Sequence, residues 1–438
     1  MSIRRTVATA AAAALLAALT IAAPAQASNR ATPGDFTGYG FDQCLAPTQK
    51  AMDTWLHHSP FWAVGIYITG DSRGCRNQPN LTPTWISTQL ANGWRLLPIT
   101  LGPQAGCSPH FPRYGNDPVI SRRVGDGTYP RARAQAVAEA DKAVTEALRL
   151  GIVAGSTLWY DIEAFDITKV RCRESVLWFL SAWTERLHQR GYVSGVYSSA
   201  GSGIKALDDA RVNRPGTFTL PDRIWLARWD GIANTSSSFI REDGWRPGGR
   251  VKQYLGGHLE TWGGVTINID SNWLDLGRGS SPRPKSRLCG TKVDFAVYRK
   301  VGPANARPAQ TKALKCLLKR QGFYQGKVND RYTDNLRRAI RAFRAAHPGK
   351  VAATFNRRNW VQLHARGGQP VLKVGSTGPA VRRVQRAMNA AGGPKLAITG
   401  AFDRATETAV KEYQRKVGVT ASGVISLDRW QVLTEGRR

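Results

Sequence analysis

The chain has 438 residues with 62 Lys and Arg against 31 Asp and Glu, a net charge of +31. That length is too great for one small core and points to two or three domains. None of the six cysteines forms a C-x-x-C pair, no G-x-G-x-x-G opens a helix and no Walker loop occurs, so zinc, redox and nucleotide-binding readings have no support.

At the amino end, Arg4 and Arg5 precede the apolar run Ala8–Ala23, and Ala25-Gln-Ala27 fits a small-residue cleavage site. Residues 1–27 therefore read as a secretory signal peptide cut before Ser28. The Arg4-Arg5 pair raises the twin-arginine route, although the residues after it do not complete that signal. No other stretch is long and apolar enough to span a bilayer, so the mature protein is expected to be secreted, without a transmembrane segment. Six cysteines agree with an oxidising compartment. Cys289–Cys316 is the first expected disulfide, since both lie in one downstream segment. Cys75–Cys107 is the second, because each follows a consecutive strand-like run.

From residue 35 the chain alternates strand-like and helix-like runs. Phe36–Asp42 reads as a strand ending in an acid, Pro47–His58 as a helix, and Trp62–Thr69 as a second strand. A helix near Thr84–Asn92 and a third strand, Trp94–Leu101, follow. Gly102–Tyr129 is a long polar loop, and Arg131–Leu150 is a periodic helix stopped by Gly151. A fourth strand then presents Asp161 and Glu163. Side chains alternate along a strand, so these two acids share a face while Ile162 points away. Two neighbouring carboxyls repel, one stays ionised and the other's pKa rises, which is the division of labour that acid catalysis on a glycosidic bond needs.

A helix over Cys172–Arg190, closed by Gly191, leads to a fifth strand at Tyr192–Ser198, and another helix is expected around Ile204–Arg211. Arg223–Asp230, Val251–Leu255 and Val265–Asp270 are strands six to eight. Eight apolar strands interleaved with helices over residues 35–279 predict an α/β fold, a (β/α)8 TIM-like barrel. In such barrels the site lies at the strand C-terminal ends. Here those ends carry the acids Asp42, Asp161, Glu163 and Asp270 as catalytic candidates. Tyr67, Tyr197, Trp229, Asp230 and Gln253 stand beside them as substrate-binding candidates.

Gly40-Phe-Asp42, Tyr160-Asp-Ile-Glu163, Val196-Tyr-Ser198, Ile224–Trp229 and Asn268-Ile-Asp270 together resemble the glycoside-hydrolase-like domain of the DUF1906, or Rv2525c-like, group of secreted proteins. That group is distantly similar to the family 25 lysozymes. The resemblance implies that Glu163 donates a proton to the leaving oxygen and that Asp161 orients the reacting N-acetyl group. It also implies that Asp42 and Asp270 bind sugar and tune neighbouring pKa values. The sequence departs from the lysozymes after the first strand, where Gln43-Cys-Leu45 stands.

The composition shifts at residues 280–287, a Ser/Pro/Arg linker. From residue 280 onward there are 33 Lys and Arg against 8 Asp and Glu, a net +25; residues 28–279 carry 27 against 23. The basic field thus belongs to the C-terminal third and suits a polyanionic partner. Within it, Leu372–Val381, Val384-Gln385, Ile398–Phe402, Tyr413-Gln414 and Trp430–Leu433 resemble the peptidoglycan-binding repeat, a small all-α module, over 370–436. A degenerate copy spans 288–366, carried by Ala313–Leu318, Gly322–Gly326 and Trp360–Leu363. The seven histidines show no metal-ligand spacing, and no cofactor is expected. The expected whole is a monomeric cell-wall-associated protein that cleaves or binds peptidoglycan-type glycan, with nucleic acid not expected as a partner.

Overall fold

The computed structural model describes residues 29–113, 116–277, 288–305 and 307–438. The expected signal peptide at 1–27 and the linker at 280–287 lie outside the described residues.

The first body is a closed eight-stranded barrel with strand order 1 to 8. Its elements are β1 (Thr37–Asp42), α1 (Gln49–His58), β2 (Ala63–Thr69), α2 (Pro83–Asn92), β3 (Arg95–Thr100), α3 (Pro130–Arg149) and β4 (Thr157–Asp161). These are followed by α4 (Val170–Gln189), β5 (Val193–Ser199), α5 (Gly203–Asn213), β6 (Arg223–Ala227), β7 (Arg250–Trp262) and β8 (Val265–Asp275). Local chemistry sets the helix starts: the Thr48 and Thr82 side chains accept from Ala51 and Trp85 backbone N–H groups, and Pro83 occupies the first turn of α2.

Period-two alternation sorts each strand between two cores. Along β4, Leu158 and Tyr160 pack outward, where the Tyr160 ring meets Phe179 and Trp183 of α4 at 4.9 Å each. Trp159 points inward and meets Trp225 edge-on at 5.6 Å, in an interior shared with Ala63, Leu97, Ile99, Val251 and Leu274. Asp161 has the parity of Trp159 and so stands above this apolar plug. The same parity places Asp42, Tyr67, Tyr197, Gln253 and Asn272 in that upper layer.

The expected eightfold β/α alternation holds through β6 and then stops. No helix separates β6 from β7, and β8 runs antiparallel to both β7 and β1. The cause is the two-residue turn Gly263-Gly264, with φ of +59° and +80°, which folds β7 and β8 into a hairpin. Asp270 consequently lies within β8 rather than at its end, and reaches the rim because it pairs with Asp42 across the β1–β8 ladder.

With a hairpin in place of the last β/α units, Trp55 of α1 covers Phe41 of β1 at 5.1 Å, and Tyr39 of β1 and Trp273 of β8 are left for another part of the chain. The C-terminal segment covers them. It comprises α6 (Pro308–Arg320), α7 (Asp334–Ala345), α8 (Arg357–Ala365), α9 (Pro379–Ala391), α10 (Arg404–Lys416) and α11 (Leu427–Thr434). The Arg404 guanidinium lies 4.8 Å over the Trp273 ring and 5.5 Å over Tyr39, whose hydroxyl donates to Glu407 Oε2 at 3.2 Å. Lys373 is buried at this junction. Its Nζ donates to the carbonyls of Leu56, Ser59 and Phe61 at 2.9, 3.0 and 2.6 Å, capping the chain end that follows α1. The two small helical modules also share one apolar core, from Val293 through Trp360 and Val384 to Leu433.

The disulfides join Cys44 to Cys75, Cys107 to Cys172 and Cys289 to Cys316. The expected Cys75–Cys107 bond is therefore replaced by two others. Neighbouring parallel strands bring their following loops side by side, so Cys75 could meet either flanking loop. It bonds backward to the β1 loop, and Cys107 bonds forward to the start of α4.

Candidate active site

The rim of the barrel encloses a pocket of about 160 Å³ whose lining includes Asp42, Tyr67, Arg73, Arg113, Glu163 and Asp270. A wider depression of about 410 Å³ shares Asp42, Gln43, Cys44, Cys75 and Asp270 with it and continues over Leu45, Gly257 and Asn268. The two form one groove across the mouth.

Glu163 follows the end of β4, half-buried, with its backbone N–H donating to Gln104 Oε1 at 2.8 Å. Gln104 Nε2 in turn donates to the Asp161 carbonyl at 2.8 Å, so Gln104 clamps both acid-bearing residues to the loop after β3. The Glu163 carboxyl is in no ion pair among the described residues. Burial raises its pKa above the ordinary glutamate value, and the positive charges of Arg113 and His110 pull it partly back.

Asp161 is fully buried behind Glu163 and does not line the pocket. The Tyr67 hydroxyl donates to its Oδ2 at 3.1 Å, while Oδ1 has no partner among the described residues. Burial, and then the charge of Glu163, push its pKa well above the usual range.

Asp42 is buried, and close packing admits it: a Cβ on Gly65 of β2 would lie 2.5 Å from Asp42 Cβ. Gln253 Nε2 donates to both Asp42 oxygens at 3.1 Å and Asn272 Nδ2 to Oδ1 at 2.6 Å. Burial and the nearby Asp270 outweigh those amides and push the Asp42 pKa up to about 8. Asp270, less buried, is pushed up to about 6, again chiefly by burial, with His258 opposing.

Gln253 spends its whole side chain inside the protein. Its Oε1 accepts from the Tyr197 hydroxyl at 3.0 Å and the Trp229 indole N–H at 2.8 Å. It positions Asp42, and no donor or acceptor remains to face a ligand. Trp229, tethered by that bond, is 66% exposed as a residue. Asp230 is not brought to the pocket, because it pairs with the buried Lys252 Nζ at 2.7 Å.

Four contributors escaped sequence reasoning: Gln104, Arg73, Arg113 and Asn272. Only Asn272 had a signal, since Asn268, Asp270 and Asn272 share one strand parity. No group of three or more His, Cys, Asp or Glu among the described residues is placed to hold a metal ion, and no described helix is long and apolar enough to cross a membrane.

The raised carboxyls have a cost in stability. A carboxyl with a folded pKa near 8 and an ordinary unfolded one binds more protons folded between about pH 4 and 8. Its contribution is complete below pH 4 and is lost as pH rises to 8, on the order of a few kcal/mol. Asp42→Asn is expected to flatten this dependence and raise the thermal midpoint at pH 8, read by unfolding from pH 4 to 9. An identical pH slope in the variant would contradict it.

Residues 53–274, just over half of the chain, match the family described as the Rv2525c-like, glycoside hydrolase-like domain, and residues 377–433 match a peptidoglycan binding domain. None of the curated proteins compared with the chain matches it. Among solved structures, the chain is similar to an uncharacterized B. stearothermophilus protein at 21% identity, TM-score 0.36, over 54% of this chain and 95% of that one. It is similar to the Tat-secreted protein Rv2525c of Mycobacterium tuberculosis, in complex with L-tartrate, at 13% identity, TM-score 0.35, over 54% and 95%. The modular autolysin LytC of Streptococcus pneumoniae aligns at 13% identity, TM-score 0.34, over 54% and 46%.

Proposed function

Because the chain belongs to the Rv2525c-like glycoside hydrolase-like family, we propose that it is an exported, wall-held glycoside hydrolase acting on peptidoglycan-type glycan. The observation that carries this reading is the placement of Glu163. It lines the same pocket as Asp42 and Asp270, is free of an ion pair among the described residues, and has a pKa raised by burial. A protonated carboxyl at such a position is suited to general acid catalysis.

In this reading the glycosidic C–O bond breaks with its electron pair going to the leaving oxygen, which takes the Glu163 proton. Asp270, pushed up only to about 6, holds negative charge near the developing oxocarbenium centre at neutral pH, while Asp42, pushed up to about 8, stands beside it as a neutral carboxyl. Water then adds to the anomeric carbon and returns its proton to Glu163. Asp161, buried beneath the surface and absent from the pocket lining, supports the site through its hydrogen bond from Tyr67 rather than by touching the N-acetyl group. The exposed Trp229 face offers stacking for a sugar ring along the groove. The basic helical segment, which matches a peptidoglycan binding domain, holds the barrel at its polymer and adds effective concentration.

The test is release of new reducing ends from purified wall by the full-length protein, with the fragments identified by mass spectrometry. Fragments bearing an added water are expected. Wall binding without any release would replace this reading with a non-catalytic glycan binder.

A further inference from the structure

The mouth pocket has two chemically distinct walls, one of carboxyls and one of guanidiniums. Asp42, Glu163 and Asp270 arrive from β1, the end of β4 and β8, whereas Arg73 and Arg113 arrive from the loops after β2 and β3. Neither guanidinium is in an ion pair among the described residues. Arg73 is held by backbone: its Nε donates to the Gly70 carbonyl at 2.9 Å and its Nη1 to that of Tyr67 at 3.3 Å. The Arg113 guanidinium rests 5.0 Å over the Phe111 ring. Both cations are thus oriented before any ligand arrives, and neither is locked in an ion pair with a protein acid among the described residues. Hydrolysis of a neutral amino sugar needs no such wall.

We propose that the pocket recognises a carboxylate carried by its sugar ligand, gripped by Arg113 and Arg73 while the glycosidic bond lies against the acids. This inference rests on the glycan reading above and adds the ligand class. Forked guanidinium donors match a carboxylate with two parallel, charge-assisted hydrogen bonds. Wall glycan offers that group in two places: on the lactyl ether of the sugar when no peptide is attached, or on the stem peptide. Occupancy has a catalytic consequence as well. Arg113 opposes protonation of Glu163 in the free protein. A bound carboxylate cancels that charge, so the correct ligand leaves Glu163 a better proton donor.

The test is calorimetric titration of full-length protein carrying Glu163→Gln, which holds fragments without turning them over. Three probes are compared: a wall disaccharide with a free lactyl carboxylate, the same disaccharide with that carboxylate reduced to the alcohol, and a disaccharide bearing its stem peptide. A carboxylate-bearing probe should bind about tenfold or more tighter than the alcohol, given the usual worth of hydrogen bonds to charged groups. Adding Arg113→Gln should bring that ratio close to one, and Arg113→Lys should keep part of it. If only the stem-peptide probe shows the Arg113-dependent gain, the carboxylate recognised is the peptide's. Equal binding of acid and alcohol probes, a ratio unchanged by Arg113→Gln, or no binding of any probe overturns the proposal. Hydrolysis of wall without discrimination removes this inference and leaves the hydrolase reading; discrimination without hydrolysis does the reverse.

Discussion

Replacing Glu163 with Gln is expected to lower kcat on wall glycan by about a thousandfold while KM stays within a few-fold. The magnitude follows from the role: a positioned general acid contributes roughly 10²–10⁴ in rate. The substitution keeps the volume and polarity of the side chain, so the groove is not reshaped and ground-state binding persists. What is lost is the proton, and the leaving oxygen must then depart as an alkoxide. An interaction made only in the transition state appears in kcat rather than KM. Steady-state release of reducing ends, with the unfolding midpoint of both proteins, checks this. A variant keeping more than a tenth of wild-type kcat would show that Glu163 is not the acid.

Removing the Cys107–Cys172 bond by paired alanines is expected to destabilise the barrel by about 4 kcal/mol, from the loop entropy restored to the unfolded chain. The bond spans 65 residues, and for a domain of this size the change corresponds to a midpoint lower by roughly 10 °C. The functional effect should exceed the structural one. This disulfide ties the long loop after β3 to α4, beside the contacts by which the loop holds the acids: Gln104 on Asp161 and Glu163, and Ser108 Oγ on the Ala164 carbonyl at 2.9 Å. Activity at 25 °C, well below the lowered midpoint, should fall at least tenfold, because a loosened clamp lets Glu163 wander. Full activity at 25 °C with a lowered midpoint would confine the bond to stability.

Much of the site was legible because strand parity is a strict rule. Asp42, Asp161, Tyr67 and Tyr197 could be placed on the inner face from alternation alone, and the same rule extended two residues past Asp270 finds Asn272. The hairpin was harder to see. Val251–Leu255 and Val265–Asp270 read as separate strands because the stretch between them, rich in Gly and polar residues, resembles a loop. The Gly263-Gly264 pair between Trp262 and Val265 was the local sign of a tight reversal. Gln104 and Arg113 were not legible at all. They sit in a long Gly/Pro-rich loop whose path is set by a disulfide and by contacts far apart in the chain, and no periodicity encodes those. Asp230 misled for the opposite reason: it follows β6 as an acid should, but the buried Lys252 on the neighbouring strand claims it.

The direct measurement is a carbon-13 NMR titration of the Glu163 carboxyl in the full-length protein, assigned through Glu163→Gln. Burial at the rim requires a midpoint above the ordinary glutamate value of 4.5, moving higher still when Arg113→Gln removes the opposing charge. A carboxyl that titrates at or below 4.5, indifferent to Arg113, would belong to an open surface, and the acid at the barrel mouth would be lost with it.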